Sequence, residues 1–137
     1  RYPGFEGIAE PRLGAFVAFS PTLPAVGNAQ TAFERLTRPV LSITGTLDSD
    51  VVGVGATPER RMGVFAALPK SAVAGTGQGR KAHLVLKDGD HMTFAGQTGR
   101  AAEIVPRTQG TRDLQPAHHA LVARIVEAYE RANKDQA

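Results

Sequence analysis

The distribution of apolar and polar positions divides the chain into three apolar runs joined by segments with helical spacing. The first, Leu13 to Phe19, is almost unbroken and stops at Ser20 and Pro21. The second runs from Arg38 through Val40, Leu41 and Ile43 to Gly45, and the third from Lys81 through Leu84, Val85 and Leu86 to Lys87. Short apolar runs bounded by turn residues suit strands covered on both faces. Between the second and third runs, Thr57, Pro58 and Glu59 make a helix start: a hydroxyl N-cap, a proline at the first helical position and an acid in the first turn. Met62, Phe65, Ala66 and Leu68 then supply a short apolar face that Pro69 closes. A shorter helix is expected through Phe33 and Leu36. A closing helix is expected from Pro116 to Asn133, where Leu121, Val122, Ile125, Val126 and Tyr129 recur at amphipathic spacing. Residues 1–12 read as a connector, the stretch through Gly75, Gly77 and Gly79 as a flexible link, and residues 95–116 as a long loop. Strand, helix, strand, helix with apolar strands predicts a single α/β domain, three parallel strands with flanking helices. Three strands alone leave the Leu13–Phe19 run with an open edge, so a preceding segment or a separate chain is expected to pair with it.

Two residues at strand ends carry the chemistry. Asp48 follows the second run, after Gly45, Thr46 and Leu47, and His91 follows the third, in Gly89-Asp90-His91-Met92. Open parallel sheets present site residues at the carboxyl ends of their strands, and the interval between the two has room for one helix and one strand. A carboxylate in a tight turn can orient an imidazole, and histidine moves protons near neutral pH without a large shift. Asp50, in the same loop, competes for the acid's place; Asp48 is preferred because it lies nearest the strand end. Acid followed by histidine is the back half of a Ser-Asp-His order in which the nucleophile comes first. The serines are Ser20, Ser42, Ser49 and Ser71, and none stands on a glycine-flanked strand-to-helix elbow. The sequence leaves two other readings. Asp88, Asp90 and His91 could form a hard-ligand metal cluster, though without the regular oxygen spacing of a calcium loop. A non-catalytic binding module could keep Asp48 and His91 by descent. Gly75, Gly77 and Gly79 precede a strand instead of opening a helix, so they fail the context of a phosphate loop. His83 reads as a strand-face residue, and His118 and His119 as surface or loop-packing residues.

Composition narrows the classes further. Lys and Arg number 16 against 13 Asp and Glu, a formal charge of +3, but the arginines are scattered and the aromatic content is 6%. Nucleic-acid binding asks for a clustered basic stripe. There are no cysteines, which removes disulfides, thiolate nucleophiles and cysteine-rich zinc sites. No stretch approaches the roughly 18 apolar residues of a membrane-spanning helix.

The segments Arg38-Pro39-Val40-Leu41-Ser42-Ile43-Thr44-Gly45-Thr46-Leu47-Asp48, Thr57-Pro58-Glu59-Arg60, Phe65-Ala66-Ala67-Leu68-Pro69 and His83 through Met92 together resemble the C-terminal half of α/β-hydrolases. The resemblance is to dienelactone-hydrolase-like and acetylhydrolase-like esterases and to lipases. Leu13–Pro21 is similar to the strand after the nucleophile helix in that fold, and the Ala120–Tyr129 region to the helix that closes its sheet. The resemblance implies that residues 1–137 form the C-terminal portion of one α/β-hydrolase domain. It implies Asp48 as the triad acid and His91 as the base, with Thr46, Leu47, Met92 and Phe94 near the substrate and the 95–116 loop as a pocket wall. The implied partners are a small-molecule ester and an N-terminal half that carries the serine and the oxyanion hole. No metal and no organic cofactor is implied.

Overall fold

The structure is a computed structural model that describes residues 12–51, 53, 55–69, 80–95 and 104–134. Residues 1–11 of the expected 1–12 connector, the link through Gly75, Gly77 and Gly79, Ser71, and residues 96–103 of the expected loop lie outside these.

The most apolar run becomes the middle of the sheet. Strand β2 (Val40–Leu47) is buried from Val40 to Gly45. It pairs in parallel with β1 (Phe16–Phe19) on one side and β3 (Lys81–Asp90) on the other, in the order β1-β2-β3. Leu41, Ile43 and Leu86 are fully buried, and burying each such side chain stabilises the fold by about 1.5–3 kcal/mol. Helix α1 (Ala29–Phe33) is capped by Asn28, whose Oδ1 accepts from Gln30 N and Thr31 N. Helix α2 (Pro58–Ala67) starts at the expected Thr57 cap and packs on β2 and β3, while α3 (Gln109–Asn133) packs on β3 and on a 3-10 turn, His91–Thr93. Three parallel strands with flanking helices, as expected from the apolar pattern, are the architecture of the described residues.

Four details depart from the pattern. Strand β1 is four residues long and only half-buried, with Phe19 49% exposed, because its outer edge pairs with no strand among the described residues. The buried residues of α2 are Arg61 and Val64, followed by the buried cap residue Leu68, whereas Met62 and Phe65 are half-buried and Ala66 is exposed. The face is rotated because Arg61 is drawn inward to a carboxylate. Strand β3 continues to Asp90, past the expected Lys87, through a left-handed Asp88 (φ 56°). Helix α3 begins at Gln109, well before Pro116, which lies inside it. Proline removes one intrahelical hydrogen bond there. The helix runs through because Thr108 caps its start and Thr111 and His118 are buried beneath it.

One contact sets the spacing of β2 and β3. Gly45 and Gly89 meet where the strand register shifts, and a Cβ on Gly45 would stand 2.0 Å from the Gly89 carbonyl oxygen. Gly45→Ala should therefore force the strand ends apart and cost about 3 kcal/mol or more, read as a lower denaturant midpoint. Gly110→Ala, where a Cβ meets nothing within 4 Å in the first turn of α3, should instead raise stability by about 0.5–1 kcal/mol.

Candidate active site

Adjacent parallel strands end side by side, and the residues just past the ends of β2 and at the end of β3 meet there. Asp48 turns back immediately after β2, its N–H donating to the Gly45 carbonyl at 3.2 Å. Its side chain is fully buried, so the carboxylate must be compensated from within the protein. His91 Nδ1 lies 2.9 Å from Asp48 Oδ1. On the other oxygen, Ser20 Oγ donates to Oδ2 at 2.6 Å and Thr44 Oγ1 at 2.8 Å. The buried Arg61 guanidinium completes the shell: its Nε donates to the Asp48 carbonyl at 2.9 Å and stands the same 2.9 Å from Oδ1. A second guanidinium nitrogen donates to the Ser20 carbonyl, which binds the end of β1 to α2. Ser20 takes a left-handed backbone (φ 47°) immediately after β1, a conformation that costs about 1–3 kcal/mol for a residue other than glycine, and this turn carries its hydroxyl to Asp48.

The arrangement dictates the tautomer of the ring. An ionised carboxylate only accepts, so Nδ1 of His91 carries the proton and the neutral ring offers Nε2 as an acceptor. The His91 side chain is 34% exposed, and among the described residues no hydroxyl is hydrogen-bonded to Nε2. The turn that presents it is fixed at three points. Asp90 Oδ1 accepts from Thr93 N while the Asp90 N–H donates to Thr93 Oγ1, forming a capping box. Arg107 Nε donates to Asp90 Oδ2 at 2.7 Å while its terminal nitrogen reaches Gln115 on α3 at 2.6 Å. His119 Nε2, also on α3, lies 2.6 Å from the Thr93 carbonyl and donates to it.

The residues singled out in the sequence separate into two sets. Asp48 and His91 come together. Asp50 does not join them: its N–H donates to the Ala56 carbonyl, and its Oδ2 accepts from Gly55 N at 2.6 Å, closing the 50–56 loop. Leu47 and Met92 line a cavity of about 600 Å3 together with His91, Val51, Ile104, Val105 and Pro106, so part of the expected loop does form a wall. Thr46 and Phe94 do not line it. Thr46 Oγ1 accepts from Asp88 N and so supports the bend in β3. Phe94 turns to the other side, 6.0 Å from the Phe19 ring, beside a separate cavity of about 500 Å3 along α3. His118 is buried, with Nδ1 lacking a partner among the described residues, and His119 packs against the 91–93 turn. Asp90 has both oxygens engaged, and no group of three His, Cys, Asp or Glu side chains among the described residues converges as metal ligands.

Sequence reasoning missed Ser20, Thr44, Arg61, Arg107 and His119. Ser20 had a usable signal: it is the first residue after a strand that runs parallel to the one bearing the acid, and the Phe19–Ile43 register puts it beside Thr44. Arg61 had none, since an arginine in an amphipathic helix reads as solvent-facing.

No family model, no curated protein and no solved structure matches the chain. No described helix is long and apolar enough to cross a membrane.

Two stability outcomes follow. Arg61→Met leaves the buried Asp48 carboxylate without its cation and should cost about 3–5 kcal/mol, against about 1–3 kcal/mol for Thr44→Val, which removes one hydrogen bond; both are read from chemical denaturation. The second concerns His83, which stacks on Phe65 at 5.0 Å with its Nε2 unpartnered and its pKa lowered by burial. The unfolded chain takes up this proton near pH 6.5 and the folded chain only at lower pH. Stability therefore holds above about pH 6.5 and falls as pH drops through the window below it. His83→Leu should flatten that fall relative to the parent protein when unfolding is compared at pH 5 and pH 7.5.

Proposed function

We propose that the chain supplies the acid and the histidine of a serine hydrolase that cleaves carboxylic esters, within an α/β-hydrolase fold. The observation that carries the reading is the 2.9 Å contact from His91 Nδ1 to the buried Asp48 carboxylate, with the rest of the ring at the edge of a cavity. In this mechanism Nε2 takes the proton of an attacking serine hydroxyl as the hydroxyl oxygen bonds to the ester carbonyl carbon. The imidazolium then gives that proton to the departing alcohol, and the cycle repeats with water to release the acid. Asp48 holds the Nδ1–H tautomer and stabilises the imidazolium. Ser20 is not the nucleophile of this scheme, because its hydroxyl donates to Asp48 on the oxygen away from the ring. The attacking serine and the oxyanion donors come from outside the described residues, on a further segment or chain that also covers the outer edge of β1. The chemistry requires neither metal nor organic cofactor.

The test has two arms. On the chain itself, the imidazole nitrogen resonances of His91 should report the Nδ1–H tautomer, and Asp48→Asn should shift them towards Nε2–H. A His91 ring with the opposite tautomer in the parent protein rules out the pair as an acid–base unit. In the enzyme assembled with its serine-bearing segment, p-nitrophenyl ester cleavage should fall in His91→Ala to about 10³–10⁴-fold over water, with His83→Ala close to the parent. Full turnover in His91→Ala, or activity lost to a chelator and restored by metal, would move the chemistry elsewhere.

A further inference from the structure

We infer that Ser20 is a positioning residue for the Asp48–His91 pair: its hydroxyl fixes the rotation of the carboxylate so that Oδ1 stays turned to the imidazole. The inference rests on the esterase reading for its kinetic consequence only, since the geometry it invokes belongs to this chain. The terminal torsion of an aspartate is broad and roughly two-fold, so it does not by itself decide which oxygen faces which neighbour. Hydrogen bonds have to decide it. Two nitrogens stand at the same 2.9 Å from Oδ1, His91 Nδ1 and Arg61 Nε. They compete for one oxygen, and a rotation of the carboxylate towards the guanidinium lengthens the contact to the ring. The restraint against that rotation lies on Oδ2, where Ser20 Oγ donates at 2.6 Å and Thr44 Oγ1 at 2.8 Å.

These two donors are not equivalent. Thr44 lies on β2, which leads directly into the turn of Asp48, so it moves with the acid. Ser20 comes from the end of another strand and is held at three points. Its N–H donates to the Ile43 carbonyl at 2.8 Å, its carbonyl accepts from the Arg61 guanidinium, and its hydroxyl donates to Asp48. Ser20 therefore refers the carboxylate to β1 and α2 together. The backbone gives an independent sign. Ser20 is left-handed, at φ 47°, a conformation that glycine adopts readily and that other residues keep mostly at functional sites. Glycine could make the same turn, the same N–H bond and the same carbonyl bond. Only the hydroxyl on Asp48 asks for serine.

Two variants separate the hydroxyl from the strain. Ser20→Gly removes both, whereas Ser20→Ala removes the hydroxyl and keeps the strained turn, so the glycine variant should have the higher denaturant midpoint. In both, the ratio of the Nδ1–H to the Nε2–H tautomer of neutral His91, read from its ring nitrogen resonances, should fall by about tenfold, the worth of one hydrogen bond to a charged group. Thr44→Val, which leaves Ser20 in place, should move the ratio by less than half as much. Asn28→Ala, which removes the α1 cap, should lower the midpoint and leave the ratio unchanged. In the enzyme assembled with its serine-bearing segment, kcat for p-nitrophenyl acetate should fall about tenfold in Ser20→Gly with KM unchanged. A parental ratio in Ser20→Gly, a shift that follows the midpoint across the variants instead of the hydroxyl, or an unchanged kcat in Ser20→Gly would each overturn the inference. If neither Ser20 variant folds, Thr44→Val is compared with Asp48→Asn: a much smaller shift supports Ser20 as the restraint, and an equal one overturns it. If the parent assembly cleaves no ester, the esterase reading fails by itself, and the tautomer ratios still decide the role of Ser20.

Discussion

A buried carboxylate with no exposure to water is the constraint around which the molecule is arranged. Leaving Asp48 uncompensated would cost several kcal/mol, so the chain must deliver partners to it from every element nearby. Ser20 comes from the end of β1, Thr44 from β2 itself, Arg61 from α2 and His91 from the end of β3. Each of the three strands and the crossover helix thus meets at one side chain. The β1-β2-β3 order, the inward rotation of α2 and the left-handed Ser20 all serve the same charge.

The histidine side is built differently. His91 is held less by burial than by the rigidity of the turn that carries it. Asp90 caps that turn, Arg107 joins Asp90 to Gln115, and His119 fastens the Thr93 carbonyl, so α3 grips the turn through polar contacts at its N-terminal half and packs apolar residues on the sheet further along. This division leaves the ring accessible while fixing its orientation, which is what a proton-transfer group requires.

The sheet was legible because β2 and β3 are driven by apolar burial, and Leu41, Ile43 and Leu86 are where the pattern put them. The Thr57-Pro58 helix start was legible because capping chemistry is local. The start of α3 was not: its inward stripe opens with the buried Thr111 and His118 and the half-buried Gln115, polar residues that carry no hydrophobic period, so the apolar pattern begins only beyond Pro116. The pairing of Asp48 with His91 followed from strand-end placement alone. The shell around it did not, because Arg61 and Ser20 are recruited by tertiary contact and neither bears a local mark of it. Phe94, at the C-cap of the 3-10 turn, lies against Phe19 beside the second cavity, a contact between distant parts of the chain that no local pattern marks.

The partners of Asp48 stand at very different distances along the chain, and this ranks what each costs to hold. Thr44 is 4 residues away and Arg61 13, whereas Ser20 is 28 and His91 43. Closing the longest of these loops costs about 1 kcal/mol more entropy than closing the one to Arg61. The local partners of the charge, on the strand end and the helix that follows it, are therefore held at a lower closure cost than the histidine. The bond that joins acid to base is thus the one that spans the most chain, and any loosening between β2 and β3 would separate the imidazole from a carboxylate that keeps its local partners.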